Sequence, residues 1–227
     1  MSQSSDRKNS KWGPGKFAGP PFFVRRARRS IASSLERSPS AATRTDDNFT
    51  FRKASALDAH APAAPDGDFL AQPDFEMFYI SIDPHGRLGW ESSTLRYIDT
   101  TAHVVEVLTE LASNACKAFL RKPGISYILA GKTELDCALA PSKQKEKYHI
   151  ETLMPGGDGV LNWPFLQAGK CNEISLVLAA AADGSPDTPP VFRAKTGLSE
   201  SRALSIPLKE AKSPDGGAVW PRCTVHP

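Results

Sequence analysis

The chain has 227 residues, 40% hydrophobic and 23% charged, with a formal net charge of +3. That is long enough for one sizeable core, and no apolar run approaches the ~20 residues needed to cross a bilayer. The charge is uneven: residues 1–44 carry ten Lys/Arg and two acids, residues 45–227 eighteen and twenty-three, so the basic pI says nothing about nucleic-acid binding by the main body.

Residues 1–42 are rich in Ser, Arg, Lys, Gly and Pro, with Phe22-Phe23-Val24 as the one strand-like stretch. Such a segment buries too little apolar surface to offset its ordering entropy, and the expectation is a mostly disordered basic tail. Arg25-Arg26-Ala27-Arg28-Arg29-Ser30 is Arg- and Ser-rich and poor in acids. It reads as a solvated tail, an organellar transit peptide or a nucleic-acid patch. The location is accordingly cytoplasmic, or organellar if this segment is a transit peptide. Residues 43–75 form an irregular polar stretch, with a short helix near Ala54–Ala59 and interruptions at Pro62, Pro65 and Pro73.

From Phe75 the pattern becomes regular. Met77–Ile82 is a strand ending in the turn Asp83-Pro84-His85-Gly86. Arg87–Thr100 is a polar connection, His103–Leu108 a second strand, and Ser113–Arg121 a helix stopped by Pro123-Gly124. Ile125–Ala130 is a third strand. Leu135–Lys147 is a helix damaged by Pro141, Ile150–Met154 a fourth strand, Val160–Ala168 a helix and Glu173–Ala180 a fifth strand. Ala203–Ala211 and Gly217–Val225 pair as a hairpin around Pro214-Asp215-Gly216-Gly217. Strands alternating with helices predict an α/β, three-layer domain with a mostly parallel sheet and a C-terminal antiparallel hairpin. It spans 43–227 and is best defined over 75–225.

The stretch of greatest functional interest is Gly156-Gly157-Asp158-Gly159, between the fourth strand and the following helix. Glycines admit close backbone approach, and the free N–H groups that open a helix bind anions such as phosphate. The alternative reading of Gly156 and Gly157 is a simple left-handed turn. GGDG is neither a P-loop nor GxGxxG. The four cysteines, Cys116, Cys137, Cys171 and Cys223, lack metal-binding spacing and read as thiols of a reducing compartment. Trp90 and Trp163 read as packing residues.

Four passages in order, FYISIDPHGRLGW, HVVEVLTELASNACKAFLRKPGISYILAG, IETLMPGGDGVLNWPFLQAGKCNEISLVLAAAADGSPDTP and DGGAVWPRCTV, resemble the C-terminal reductase domain of bacterial bifunctional riboflavin-biosynthesis deaminase-reductases. That family has a dihydrofolate-reductase-like fold. The resemblance implies an NADPH-dependent reduction of ribose to ribitol on a pyrimidine ribosyl phosphate substrate, in a homodimer, with no membrane or nucleic-acid partner. It implies cofactor contacts at Gly156, Gly157, Asp158 and Gly159, at the strand-end residues Ser81 and Thr109, and at Arg44-Thr45, which match a family helix start. Glu173 matches the acid of a family Asp-Glu pair after the glycine-turn helix and is not assigned as a proton donor. The family's opening strand and its Ser-x-Asp-Gly loop have no counterpart in residues 1–42, so the first strand is expected to be missing. Catalytic and substrate-contacting residues are not assigned, and no metal is implied.

Overall fold

A computed structural model describes residues 60–97, 100–155, 159–182, 190–214 and 216–226, together with residue 57 and the backbone of 22–25 and 50–51. The elements are β1 (Phe22–Arg25), β2 (Thr50–Phe51), β3 (Met77–Ile82), β4 (Leu88–Gly89), β5 (Thr94–Tyr97), β6 (Thr100–Leu108), α1 (Asn114–Arg121), β7 (Ser126–Leu129), α2 (Leu139–Tyr148), α3 (Gly159–Gln167), β8 (Glu173–Ser175), β9 (Leu208–Lys212) and β10 (Trp220–Thr224).

The architecture is mixed α/β. β6 is the axis of a five-stranded sheet. It pairs in parallel with β3 (Phe78 opposite His103 through Ile82 opposite Val107) and with β7 (Val105 opposite Ser126 through Leu108 opposite Leu129). Its first residues pair antiparallel with β5, and β1 pairs antiparallel with β3. Two parallel and two antiparallel ladders replace the mostly parallel sheet expected. The reason is local: residues 94–97, within what reads as a polar connection, fold back on the start of β6 as a hairpin partner.

β1 contains the strand-like Phe22-Phe23-Val24 and brings part of the N-terminal segment into the sheet. The Ser-x-Asp-Gly loop does not follow Phe22-Phe23-Val24 in the sequence, where Arg25-Arg26 comes next. The other residues of 1–42 lie outside the described residues, as do Arg44, Thr45 and most of the expected helix near Ala54–Ala59.

Both faces of β6 are covered, which explains why HVVEVL reads as continuous apolar sequence rather than an alternation. On one face Phe78, Ile80, Val105, Val107 and Ile128 pack with Ala140 and Tyr148 of α2 and Phe165 of α3. On the other, Tyr79, Val104, Leu108 and Tyr127 pack with Cys116 and Leu120 of α1. Each large side chain removed from water here contributes roughly 1.5–3 kcal/mol.

Helix ends follow local chemistry. Ser113 caps α1 by accepting the N–H of Cys116 at 3.1 Å. Asp136 accepts the N–H groups of Ala138 and Leu139 at 2.9 and 2.8 Å and so delays the start of α2 to Leu139. Pro141 then falls in the first turn, where its missing donor has no intrahelical acceptor. The expected damage to the helix does not arise.

The fourth strand expected at Ile150–Met154 is not formed, and these residues are irregular. α2 ends with His149 in the left-handed region (φ 54°), and among the described residues 150–154 pair with no strand. The expected fifth strand belongs instead to a separate antiparallel sheet, β8-β10-β9. The C-terminal hairpin is present there as β9 and β10, with shorter strands than the pattern suggests.

The early end of β8 has a covalent cause. Leu178 and Val219 exchange both backbone hydrogen bonds, at 2.8 and 2.9 Å, and Leu176 donates to Pro221 at 3.1 Å. Pro221 has no N–H to return. The ladder is therefore broken at 176 and resumes at 178.

Candidate functional site

Three parallel strands bring their carboxyl ends to one edge, where ligands of open α/β sheets bind. The residues there are Ser81 near the end of β3 and Asp83 just after it, Thr109 after β6, and Gly131 after β7. Loop chemistry fixes each one. Asp83 donates its N–H to Val107 O at 3.1 Å. Its carboxylate accepts the N–H of Arg87, and that of Leu88 at 2.7 Å. This closes the Asp83–Arg87 turn, in which Gly86 (φ 64°) is obligatory because an added Cβ would lie 2.2 Å from Cys116 Sγ. Thr109 is fully buried. Its hydroxyl donates to Pro84 O at 2.7 Å and its N–H to the same oxygen at 3.0 Å. Glu110 N–H donates to Gly131 O at 3.1 Å.

The two strand-end residues expected to contact a cofactor, Ser81 and Thr109, are thus brought to one edge. Both are buried, and the Thr109 hydroxyl is engaged with the neighbouring turn. Gly156, Gly157 and Asp158 of the glycine turn lie outside the described residues, as do Arg44 and Thr45. The last glycine, Gly159, opens α3. A Cβ placed on it would sit 2.3 Å from Pro190 O and 2.9 Å from Arg193 N. Its carbonyl accepts the Arg193 N–H at 2.9 Å. The close approach this glycine permits is to the chain's own residues 190–193.

Those residues begin a strap along α3. Asn162 Nδ2 donates to Val191 O at 3.2 Å, and Trp163 packs on Phe192 with centroids 6.3 Å apart. Trp163 Nε1 donates to Glu200 O at 2.7 Å. Gln167 clasps Glu200 with both ends of its amide, at 3.1 and 3.0 Å. An open cleft of about 280 Å³ lies beside it, lined by Asp136, Cys137, Pro164, Gln167 and Leu198 among others. Burial, and secondarily the charge of Asp136, push the Cys137 thiol up to about 12, away from the nucleophilic thiolate form.

Two polar features of the core escape sequence reading. Glu106 is fully buried on the central strand and accepts the indole N–H of Trp90. His103 is fully buried and its Nε2 lies 2.7 Å from Ser126 Oγ, between the rings of Phe75 and Phe78. Burial lowers its pKa to about 4, with the Ser93 carbonyl acting weakly in the other direction. Burial likewise raises that of Tyr148, near the same serine. A Glu and a His inside HVVEVL, where every neighbour is apolar, are the signals that mark them.

Trp90 and Trp163 are buried packing residues, as their contexts suggest. Glu173 lies on the exposed small sheet. Its partial burial favours the neutral acid, but the hydrogen bonds from Arg222 and Lys209 outweigh this and hold its carboxyl below the ordinary value. Its role is a cross-strand ion pair. All four cysteines are free. Among the described residues no group of three or more His, Cys, Asp or Glu is arranged to hold a metal, and no helix is long and apolar enough to cross a membrane.

No protein-family model and no curated protein matches the chain. Among solved structures it is similar to a pyrimidine reductase-like protein from Corynebacterium diphtheriae, with a TM-score of 0.46 and 16% identity over 55% of this chain and 50% of that one. The chain thus spans about half the length of that structure.

Proposed function

We propose that the chain is a nucleotide-binding protein of the riboflavin-biosynthesis reductase type, with NADPH as its cofactor and a pyrimidine ribosyl phosphate as its substrate. The observation that carries this reading is the edge at which β3, β6 and β7 deliver Ser81, Asp83, Thr109 and Gly131 together. In the sequence the glycine turn 156–159 leads into α3, whose Phe165 packs on the Phe78–Val105 face of the same sheet. Reduction of the ribose to ribitol would need a hydride, which the nicotinamide supplies when bound. The protein's part is to hold two anionic ligands in line. The resemblance further suggests a homodimer.

A second reading, a catalytically silent relative that keeps nucleotide binding, is favoured by a specific finding. The Asp83 carboxylate, an acid at that edge, is occupied by the N–H groups of Arg87 and Leu88 in the adjoining turn.

Thermal unfolding with NADPH tests both. A ligand at ~100 times its Kd stabilises by about 2.7 kcal/mol, a rise of several degrees. Stabilisation together with oxidation of NADPH in the presence of substrate supports the reductase, and stabilisation alone the silent relative. No shift at millimolar NADPH removes the cofactor from the account.

A further inference from the structure

We propose that residues 68–71 are a displaceable cover on the outer edge of β7, and that residues 150–154 compete with them for that edge. The device needs no ligand and is independent of the nucleotide-binding reading.

A further strand can join β7 only through backbone groups that point away from β6. Successive N–H groups of a strand face opposite neighbours. Ala130 donates toward β6, to Leu108 O at 2.8 Å, so the N–H groups of Tyr127 and Leu129 face outward. Both are taken. Tyr127 and Phe69 exchange both backbone bonds at 2.9 Å, and Leu129 N–H donates to the Asp68 carboxylate at 2.8 Å. Ala71 N–H closes the far end on Ser126 Oγ at 3.0 Å. An irregular segment thus covers an edge that otherwise invites another strand.

Residues 150–154 are the chain's own candidate for that place. They read as a strand in the sequence, and among the described residues they pair with no strand. α2 leads to them from β7, as the crossover of a parallel pair does. Ile150 shares the apolar cluster of Ile128, and Leu153 packs against it. The two arrangements exclude each other, because each uses the outward N–H groups of β7. The latch is Asp68, whose largely buried carboxylate is also held by Lys143 and Lys147 of α2 at 3.0 and 3.5 Å. Asn114 of α1 fastens the chain farther back, at Ala61 and Pro62, so release of 68–71 stays local.

The test is amide hydrogen exchange on the full chain, which reports the population of each opened form. Phe69 exchanges whenever the cover is released. Tyr127 exchanges only when neither segment is paired with it. Two backbone bonds favour the re-paired form over the bare edge by about tenfold, so Phe69 should exchange about tenfold faster than Tyr127. Glu151→Pro and Thr152→Pro lie outside the core, and because N–H groups alternate, one of them removes a donor to β7 and the other does not. One variant should therefore slow Phe69 about tenfold, to the Tyr127 rate, with Tyr127 unchanged. The other should leave Phe69 as it was. A proline that protects an amide some eighty residues away has no account without the competition.

Equal rates at Phe69 and Tyr127 in the wild type, or no slowing of Phe69 by either proline, would show a permanent cover and overturn the proposal. Should a proline variant fail to fold, glycine at the same position weakens strand pairing and gives the same sign. Asp68→Ala should speed Phe69 about tenfold through loss of the latch, and an unchanged rate removes Asp68 from that role.

Discussion

His103 Nε2 and Ser126 Oγ lie 2.7 Å apart, linking β6 to β7 inside the core. Burial holds the imidazole neutral, with a pKa of about 4 against 6.5 when free. In the unfolded chain the same residue takes up a proton as pH falls through 6.5, and the folded chain does not follow until about 4. The unfolded state thus binds the extra proton across this window, and stability falls as pH falls. At about 1.4 kcal/mol per pH unit the loss between pH 6.5 and 4 approaches 3 kcal/mol. Urea unfolding at pH 7, 6, 5 and 4 should show this slope in the wild type. The difference between wild type and His103→Gln should shrink steadily as pH falls. A pH-independent difference would remove His103 as its source.

Gly131 and Gly124 both have positive φ, 115° and 76°, but their surroundings differ. A Cβ at Gly131 would meet Glu134 O at 2.0 Å, whereas none of the atoms near Gly124 comes within 4 Å of one. Gly124→Ala should cost about 1 kcal/mol, the conformational penalty alone. Gly131→Ala adds a clash with backbone that cannot swing aside, and should cost about 3 kcal/mol or more. Parallel denaturant titrations check the ranking, and equal losses would contradict it.

These contrasts show which parts of the fold were legible in the sequence. Val104, Val105, Val107 and Leu108 are apolar because helices cover both faces of β6, and the run could be read directly as a strand. Ser113 and Pro123-Gly124 bracket α1 for reasons confined to a few residues. β5 was not legible, because Thr94–Tyr97 are polar enough to read as a connection and become a strand only by pairing with residues 100–103. The expected strand at 150–154 failed for a related reason. Ile150–Met154 has a strand's composition, but a strand also needs a partner, and the turn at His149 determines where the chain goes next. At the candidate site, the convergence of Ser81 and Thr109 followed from the strand pattern. Their engagement with the Asp83–Arg87 turn, and the strap behind Gly159, depend on contacts distant in sequence that no local pattern encodes.

His149 ends α2 at φ 54°, ψ 36°, and it is exposed. A left-handed C-cap disfavours a side chain with a Cβ, and glycine adopts it freely. His149→Gly should therefore stabilise the chain by roughly 0.5–1 kcal/mol, and Val at the same position should destabilise it because branching at Cβ worsens the strain. The two changes in thermal midpoint should have opposite signs. Destabilisation by glycine would mean that the imidazole makes a contact worth more than the strain.

Pro221 sits in the central strand of the small sheet, between Ala211 of β9 and the chain beyond Ser175. It accepts the Leu176 N–H and returns nothing, while the neighbouring Leu178–Val219 pair exchanges both bonds. Pro221→Val supplies the missing donor opposite the Leu176 carbonyl. The restored bond should contribute about 1 kcal/mol. Against it stands the conformational freedom that proline denies the unfolded chain, about 0.4–1 kcal/mol. The two nearly cancel, so the unfolding free energy should change by less than about 0.5 kcal/mol. Local order should change more. With a continuous ladder from 173 to 178, the amides of Leu176 and Leu178 should exchange with deuterium several times more slowly than in the wild type. Unchanged exchange at both amides would show that the break at 176 has a cause other than the missing N–H.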